Sequence, residues 1–355
     1  MDNKLLTVFA SDVALIVARE LPWERLAGCQ VLVTGAGGFI GGYLTRTLLA
    51  LHRLGKVSRP VKVVAFVRDL HRARGRFPDL LHDANFSLLP WDLNRIAVPD
   101  IGHTHYVLHA ASQASPRYYS SDPVGTLLPN AVGTAALLEA LRLSSDPRGL
   151  LFVSSSEVYG AVTRDVSLAE SDYGIVDPAT VRSCYAESKR VGEAMCIAWH
   201  EQHALPTFIV RLFHTYGPGL LPEDGRVFAD FAFNIARNEN IVMKSDGLAR
   251  RAYCYVADAV AGLFSVLLKG TPALPYNVGN PAAELSVMEL AQMLVDLFPV
   301  KGLVVNRSAN PDDKRYMPSP YSRLIPDVSR LEALGWRAEI DPAHGFKRMI
   351  EAQHQ

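Results

Sequence analysis

A glycine-rich turn between a strand and a helix constrains this chain more than any other stretch. Residues 31–34 read Val-Leu-Val-Thr, which is typical of a strand, and Gly35, Gly38 and Gly41 follow at three-residue intervals before an apolar helical pattern. Glycine bends tightly and lets a ligand approach the backbone, and free N–H groups at a helix start favour an anion such as a pyrophosphate. We therefore predict that these glycines, with Phe39 and Ile40 beside them, bind a dinucleotide. The alternative is a strand-to-helix connection without a ligand.

The composition is that of an ordinary globular protein. The chain has 355 residues, of which 49% are hydrophobic and 20% are charged, and its formal net charge is zero. This length fits one large or two moderate domains, and the balanced charge predicts no nucleic-acid or anionic-membrane partner. The four cysteines are scattered with no CxxC pair, which favours a reducing compartment and argues against a bound metal.

Two apolar segments lie at the N-terminus. Residues 5–10 and 13–18 are separated by Ser11-Asp12 and are followed at once by Arg19-Glu20. Such segments are too short and too broken to span a bilayer or to act as a signal sequence. We predict an amphipathic helix packed on the domain, and a cytoplasmic protein without a membrane segment.

The end of the second strand bears on which dinucleotide is bound. Residues 60–67 have the pattern of a buried strand, and Arg68-Asp69 follows. In dinucleotide folds an acid at this point takes the ribose 2′-hydroxyl, whereas a nearby arginine takes a 2′-phosphate. Ala65 or Phe66 lies where that acid usually falls, so Arg68 leaves NADP open beside NAD. The alternative for Arg68 is a solvated cation at the strand end.

Strands and helices alternate along the first two thirds of the chain. Strands are predicted at 86–89, 105–108, 150–153 and 205–212, and helices at 124–143 and 184–203. This alternation predicts an α/β fold with a Rossmann-type doubly wound parallel sheet. Ligands bind at the carboxyl ends of such strands, so we expect cofactor contacts from two strand ends, Asp92-Leu93 and Ala110-Ala111-Ser112.

A change of character after residue 212 predicts a second domain. Loops lengthen and prolines gather beyond this point. We assign residues 1–212 to the dinucleotide-binding domain, with an N-terminal helical extension over 1–27. Residues 213–355 are assigned to a smaller α/β substrate domain, interleaved with returns to the first.

Tyr185 and Lys189 stand four residues apart near a helix start, so their side chains share one face. An ammonium, a helix N-terminus and a positive cofactor ring all favour the phenolate of a tyrosine, which can then take a proton from a substrate hydroxyl. Ser155, Ser156 and Glu157 end the fifth strand, where hydroxyls can bind the reacting oxygen and a carboxylate can act as acid or base. The alternatives are an ordinary amphipathic helix and strand-end capping by serine.

Together these motifs resemble the extended short-chain dehydrogenase/reductases of the nucleotide-sugar type, the NAD-dependent epimerase/dehydratase family. The resemblance covers residues 28 to 340 and includes the glycine turn, the Ser-Ser-Ser-Glu-Val-Tyr-Gly run, the Tyr185/Lys189 pair and Tyr216-Gly217-Pro218. Within this family, residues 114–119, 182–190, 193–196, 224–227 and 251–258 are most similar to the UDP-glucuronate decarboxylases, which make UDP-xylose.

The resemblance implies a role for each matching residue. Tyr185 is the base for the sugar C4 hydroxyl, Lys189 holds the nicotinamide ribose, and Ser156 bonds the C4 oxygen. Glu157 with Ser155 handles the carboxylate and the proton at C5, and Arg323 corresponds, with a one-residue shift, to an arginine proposed as proton donor. The substrate-binding residues implied are Ser115, Arg117, Arg182, His214, Arg226, Val227 and Arg251.

Two substitutions depart from the family pattern. His214 replaces an asparagine, and Gly219-Leu220 follows Gly-Pro where an arginine is usual. The resemblance further implies a homodimer built on a four-helix bundle that includes the helices at 124–143 and 184–203.

The reaction expected is redox-neutral and acts on a nucleoside-diphosphate sugar, with a UDP-sugar favoured and NAD as the cofactor. Decarboxylation of UDP-glucuronate is the leading hypothesis. A 4,6-dehydratase shares the first step and would use Glu157 on the C5 proton, whereas a 4-epimerase needs no carboxylate at that position. The alternative that is not an enzyme is a regulator that binds the cofactor but has no catalytic turnover.

Overall fold

The structure is a computed structural model that describes residues 3–95, 97–162, 166–307 and 322–353. Its strands in chain order are β1 Gln30–Thr34, β2 Lys62–Val67, β3 Phe86–Pro90, β4 Tyr106–His109, β5 Gly149–Ser155, β6 Thr207–Leu212, β7 His214–Tyr216, β8 Ile241–Met243, β9 Arg250–Tyr255, β10 Pro275–Val278, β11 Glu284–Ser286, β12 Val305–Arg307 and β13 Arg323–Leu324. Its α-helices are α1 Asn3–Ala18, α2 Phe39–Arg53, α3 Leu70–Arg76, α4 Pro116–Ser121, α5 Pro123–Asn130, α6 Val132–Arg142, α7 Ser183–His203, α8 Val227–Ala236, α9 Val256–Lys269, α10 Val287–Asp296, α11 Ser329–Glu332 and α12 Pro342–Glu351.

Seven parallel strands of the described chain form the central sheet in the order β10-β6-β5-β4-β1-β2-β3. Every residue of β5 is buried, as expected where helices cover both faces of a parallel sheet. The chain winds outward in both directions from β1 and β4, which makes the gap between their carboxyl ends the switch point where ligands bind in such sheets. The predicted Rossmann-type fold is confirmed.

A second group of strands lies beyond the central sheet in the chain. β9 pairs with β7, β11 and β13, and β8 pairs with β12. Between them the chain returns to the central sheet, where β10 pairs with β6. α9, the helix that leads back from β9 towards β10, is buried along nearly its whole length. These connections tie the strands after residue 212 to the edge of the central sheet.

The helix predicted over residues 124–143 is divided into α5 and α6, so that prediction was wrong in its continuity. Ala131 separates them, with φ −99° and ψ −74°. Pro129 has no N–H to donate, and its carbonyl oxygen accepts a hydrogen bond from His109 Nε2 at 3.1 Å. By length and hydropathy the segment Pro123–Arg142 could cross a membrane. However, 61% of its 18-residue apolar stretch is buried inside the protein, and a buried core helix has the same length and composition.

α1 is the helix predicted at the N-terminus, and it runs without a break through Ser11 and Asp12, which interrupt only its apolar pattern. Asp12 is fully buried, and its carboxylate accepts hydrogen bonds from the hydroxyls of Tyr43 and Tyr255 and from Arg348. These partners come from α2, β9 and α12. A buried carboxylate that is fully hydrogen-bonded can sit inside a helix interface, so the polar residue anchors α1 instead of ending it.

Candidate active site

The glycine turn after β1 is packed too closely for any side chain. Gly35 adopts φ +64°, and a Cβ built on it would lie 2.6 Å from Ala111 Cα. A Cβ on Gly41 would lie 2.2 Å from the carbonyl oxygen of Gly35, and one on Gly38 would lie 3.0 Å from the same atom. Gly38 begins α2 as an N-cap without a side-chain hydrogen bond, so no side chain caps the first-turn N–H groups. This geometry suits the diphosphate of a dinucleotide.

The strand beside the turn brings a second loop to the same place. Ala111 N–H donates to Thr34 Oγ1 at 3.2 Å, and Thr34 Oγ1 lies 2.7 Å from His109 Nδ1. Burial lowers the pKa of His109 to about 3, so the ring is neutral. Because Nε2 donates to Pro129, Nδ1 is the acceptor for the Thr34 hydroxyl. The chain of hydrogen bonds holds Ala110, Ala111 and Ser112 against the glycine turn.

The residues predicted for the adenosine end lie at the carboxyl ends of β2 and β3. Ala65 and Phe66 are buried within β2, which continues to Val67, so Arg68 is the first residue beyond the strand and is exposed. The Asp69 carboxylate accepts from the N–H of Arg72 and so caps α3. After β3, the Asp92 side chain accepts from Asn94 N–H, and Leu93 packs under Gly133 of α6.

Tyr185 and Lys189 lie together on the buried face of α7 against β5. Lys189 Nζ is 5.8 Å from the centre of the Tyr185 ring and donates to the Val153 carbonyl at 2.6 Å. Burial raises the pKa of Tyr185 to about 12, and the nearby hydroxyls of Ser155 and Ser112 oppose the rise. Burial also lowers the pKa of Lys189 to about 7. In this state of the protein the phenol is neutral at pH 7.

The serines at the end of β5 have two different roles. The Ser154 hydroxyl donates to Glu193 at 2.5 Å, and Glu193 is forked to Arg211, so Ser154 belongs to the core of the fold. Ser155 ends β5 and accepts from the N–H of Glu157 at 3.3 Å. Ser156 is buried at the first position of the short 3₁₀ turn that follows.

Glu157 faces the same space as Tyr185 and is paired with a cation. Its Oε2 lies 3.5 Å from Arg182 Nη2, and each side chain of the pair is about a quarter exposed. The carboxylate is near enough to Tyr185 to raise the pKa of the phenol further, after the effect of burial. The structure therefore brings Tyr185, Lys189, Ser155, Ser156, Glu157 and Arg182 into one cluster.

The start of α4 contacts the loop before α8 near this cluster. Arg117 donates to the Glu223 carbonyl at 2.7 Å, and a Cβ on Gly225 would lie 3.4 Å from Ser115 Oγ. Arg226 is forked to Asp224, with N···O distances of 2.6 and 2.8 Å. Its charge reaches Tyr185, where it lowers the pKa of the phenol against the larger effect of burial. The predicted residues Ser115, Arg117, Arg226 and Val227, the first residue of α8, are thus neighbours.

Two predicted residues on the strands after residue 212 face Arg226 from the other side. Arg251 of β9 is buried, and its guanidinium donates to the carbonyls of Arg250 and Ser322. His214 lies on the neighbouring strand β7. Burial lowers the pKa of His214 well below its usual range, and the charges of Arg251 and Arg226 lower it further.

Arg323, the predicted proton donor, is engaged elsewhere. Its guanidinium forms a fork with the Glu284 carboxylate, with N···O distances of 3.0 and 2.8 Å. Arg250 binds the same carboxylate at 2.7 Å. Arg323 hydrogen bonds reduce the pKa of Glu284 to about 2. Among the contacts of the described residues, none joins Arg323 to Tyr185 or Glu157.

Three residues that contribute to the cluster were given no role from the sequence. Tyr119 stacks on Tyr185, Asp224 orients Arg226, and the Thr34 hydroxyl links the two cofactor loops. Tyr119 stands in the quoted 114–119 segment, and Asp224 stands two residues before Arg226, so both positions carried a local signal. Thr34 ends the strand that leads into the glycine turn.

Several buried polar atoms around the cluster lack a hydrogen bond within the described chain. They are Ser115 Oγ, His214 Nδ1 and the Tyr253 hydroxyl. Buried polar groups are nearly always satisfied in proteins, so these atoms indicate ligand groups. Together with the Cβ-free turn at Gly35 and the uncapped start of α2, they fit a dinucleotide and a polar substrate.

Comparisons with known proteins agree with this geometry. A family model described as the NAD dependent epimerase/dehydratase family matches residues 31–279. UDP-glucuronic acid decarboxylase 6 of Arabidopsis thaliana is 32% identical over 324 residues, which cover 91% of this chain and 88% of that protein. UDP-glucuronic acid decarboxylase 3 of the same plant is 33% identical over 326 residues, with the same coverage of each chain.

Solved structures share the fold at lower identity. UDP-glucuronic acid 4-epimerase from Bacillus cereus, in complex with UDP-glucuronic acid and NAD, superposes with a TM-score of 0.76 at 22% identity, over 91% of this chain and 98% of that one. The dTDP-glucose 4,6-dehydratase DesIV from Streptomyces venezuelae, solved with NAD, gives a TM-score of 0.77 at 24% identity, over 91% and 96% of the two chains. The matched family model and the decarboxylase relatives identify this chain as an enzyme of the NAD dependent epimerase/dehydratase family, with NAD as its cofactor.

Proposed function

We propose that this enzyme removes CO2 from UDP-glucuronate and forms UDP-xylose. The observation that carries the proposal is the Glu157–Arg182 pair, which lies at the end of β5 beside the Tyr185 phenol. Arg182 offers a cation for the sugar carboxylate, and Glu157 offers a carboxylate for proton handling near C5. The decarboxylase relatives, which match over 91% of the chain, support this choice of reaction.

Tyr185 starts and ends the proposed reaction. Its oxygen accepts the proton of the C4 hydroxyl, and the buried Ser156 hydroxyl bonds the same substrate oxygen. NAD, when bound, supplies a positive ring that lowers the pKa of the phenol, and it takes up the C4 hydride and later returns it. At the end Tyr185 returns the proton to the C4 oxygen, so no net oxidation occurs.

The carbon–carbon bond breaks while C4 is a ketone. The C6 carboxylate is then that of a β-keto acid, and CO2 leaves as the C5–C6 electron pair moves toward the C4 carbonyl. The resulting enol is protonated at C5. Arg182 pairs with the substrate carboxylate before it leaves, because two carboxylates next to each other need a shared cation. Glu157, beside Tyr185 and Arg182, is the residue proposed to supply the C5 proton.

A 4,6-dehydratase is the second candidate, and the same carboxylate favours it. Glu157 could remove the C5 proton of a 4-keto hexose so that the C6 hydroxyl leaves as water. A 4-epimerase needs only Tyr185, Lys189 and Ser156, so the Glu157–Arg182 pair would have no role in that reaction. We therefore rank the epimerase third.

The experiment is a product analysis over a panel of nucleotide sugars. The enzyme is incubated with UDP-glucuronate and with UDP-, GDP-, dTDP- and CDP-hexoses, and the products are identified by mass spectrometry. The proposal expects a loss of the mass of CO2 from UDP-glucuronate alone. A loss of the mass of water from a hexose substrate would replace the decarboxylase with the dehydratase.

We propose in addition that the protein is a homodimer joined through α5 and α7. Both helices expose apolar side chains although they pack on each other, and Val124 and Val191 are 64% and 41% exposed. Exposed apolar patches on packed helices are typical of protein–protein contacts. The resemblance to dimeric short-chain dehydrogenase/reductases supports this partner.

Light scattering on size-exclusion chromatography tests the dimer. We expect twice the chain mass for the wild type and the single chain mass for the double variant Val124→Glu and Val191→Glu. Val300→Glu is the matched control, since Val300 is 96% exposed on the turn after α10 and outside these helices. A wild-type protein that elutes with the single chain mass would overturn the dimer.

A further inference from the structure

The His214 imidazole is packed against aromatic rings, and its Nδ1 has no hydrogen bond within the described chain. β7 pairs with β9 so that His214 stands opposite Tyr253. The two rings meet edge-on with centroids 6.0 Å apart, and the Phe228 ring packs against both of them, 6.3 Å from the imidazole and 5.9 Å from the Tyr253 ring. His214 Nδ1 is buried and has no hydrogen bond within the described chain. Buried polar atoms in proteins are nearly always hydrogen-bonded, so a ligand group is expected at Nδ1.

The charged groups that face this ring within the described residues are both cations. Arg226, at the N-terminal boundary of α8, and Arg251, on β9, each lower the pKa of the imidazole beyond the effect of burial. Asp224 stands behind Arg226 and is forked to it. Tyr253 is the titratable neighbour, and burial raises the pKa of its phenol, so it is neutral at pH 7. In the protein without substrate the ring is therefore neutral.

These groups together make a site for an anion. Two buried or partly buried guanidiniums converge with two unsatisfied polar atoms, His214 Nδ1 and the Tyr253 hydroxyl. A nucleoside-diphosphate sugar carries two adjacent phosphates, which match two guanidiniums. When the diphosphate enters, its negative charges offset the two guanidiniums at the ring, and negative charge within about 4–6 Å favours the protonated form of an imidazole.

We propose that His214 takes up a proton when the nucleotide sugar binds, and that Nδ1–H of the imidazolium then donates to the diphosphate. The proposal rests on the nucleotide-sugar substrate class of the proposed function, but not on decarboxylation. An amide side chain at this position would donate without taking up a proton. His214 thus makes substrate affinity depend on pH in a way that asparagine would not.

Calorimetry measures the number of protons that the enzyme takes up when a nucleotide binds. The NAD-loaded enzyme is titrated with UDP, dTDP, GDP and CDP, and the one that binds most tightly is then measured in phosphate and in Tris buffer at several pH values from 6 to 9. The buffer dependence of the binding enthalpy gives the protons taken up. We expect uptake approaching one proton for the wild type, and an affinity that weakens up to about tenfold for each unit rise in pH.

Variants separate His214 from other sources of protons. His214→Asn should bind the same ligand with an affinity that lacks this pH dependence and with the His214 proton missing. His82→Asn, an exposed histidine outside the site, should behave as the wild type. Protonation of the ligand's own terminal phosphate, with a pKa of about 6, is common to all three proteins and cancels in the comparison.

Several results would overturn the proposal. Equal proton uptake by wild type and His214→Asn overturns it, as does binding of no nucleoside diphosphate by the wild type. Uptake seen with UDP-glucuronate but not with UDP would place the proton on the sugar carboxylate site and also overturn it. A product other than UDP-xylose would overturn the proposed function, while the proton count with UDP would still test His214.

Discussion

The ring of Tyr119 lies flat on the ring of Tyr185, with centroids 5.1 Å apart and planes inclined by 15°. The Tyr119 hydroxyl donates to the Ala114 carbonyl at 3.1 Å, so the Tyr119 ring is itself held in place. Tyr119 therefore fixes the position of the Tyr185 ring, the proposed proton acceptor.

This stacking predicts different results for three variants. Tyr185→Phe should lower kcat by about 10²–10⁴, the usual contribution of general acid–base catalysis, and should leave NAD binding and the melting temperature near those of the wild type. Tyr119→Phe keeps the stacked ring and should retain most of kcat, whereas Tyr119→Leu should lower kcat and shift its pH profile. Steady-state kinetics from pH 6 to 9 measure this. Equal kcat for Tyr119→Leu and the wild type would contradict the positioning role.

Lys189 predicts a pH dependence of stability. Burial lowers the pKa of its ammonium to about 7, from an ordinary value of 10.5. Between these two values the unfolded chain binds more protons than the folded one, so the free energy of unfolding rises with pH. Below pH 7 both states are protonated and the effect is constant.

Urea unfolding of the enzyme without cofactor at pH 7 and pH 9 measures this. The difference in free energy of unfolding between the wild type and Lys189→Met should move in favour of the wild type as the pH rises. Met is the suitable replacement because it keeps the length of the side chain and removes the titration. A difference that is the same at both pH values would show that Lys189 is not shifted.

The Arg323–Glu284 fork predicts a structural role for Arg323. Arg323→Met and Glu284→Gln should each lower the melting temperature, and a double-mutant cycle should show coupling of about 0.5–3 kcal/mol. Glu284 has a folded pKa of about 2, below its ordinary value of 4.5, so its stabilisation is present above pH 4.5 and is lost as the pH falls to 2. Thermal melts and kcat are measured on the same samples.

The opposing hypothesis is that Arg323 donates a proton in the reaction. In that case Arg323→Met would lower kcat by about a hundredfold or more, while Glu284→Gln would not. We expect the two variants to behave alike.

Asp12 and Arg348 predict how firmly α1 is held. Arg348→Met leaves a fully buried carboxylate with only two tyrosine hydroxyls, and loss of one partner of a buried ion pair costs about 3–5 kcal/mol. Asp12→Asn removes the charge together with its need for a cation, so it should cost less. Equilibrium unfolding in urea compares the two. Equal, small losses for both variants would show that α1 does not depend on this pair.

Strands β1 to β6 of the central sheet were predictable because each is a short run rich in apolar residues between turns, as burial in a parallel sheet favours. Strand β10, Pro-Tyr-Asn-Val, has no such run and was not predicted. The Tyr185/Lys189 pair was visible because four-residue spacing on a helix fixes a common face. The N-terminal helix was also predicted, but the anchoring role of Asp12 was not, because its partners Tyr255 and Arg348 lie 243 and 336 residues further along the chain.

Other features that the sequence did not show have similar causes. At the break between α5 and α6 the Pro129 carbonyl accepts from His109 of β4, a contact between residues 20 positions apart. The sequence also presents Arg323 without Glu284, which reaches it only because β11 and β13 flank β9. Long-range pairs of this kind follow from the packing of the sheets, and no local pattern encodes them.

The most direct test of the proposed reaction uses UDP-glucuronate labelled with ¹³C at C6, in D2O, with the NAD-loaded enzyme. The proposed reaction predicts one ¹³CO2 for each UDP-xylose formed, one deuterium at C5 of the product, and no net formation of NADH. The Tyr185→Phe enzyme, folded and loaded with NAD, should form neither product. Recovery of intact UDP-glucuronate, or of its C4 epimer with the ¹³C retained, from active wild-type enzyme would contradict it.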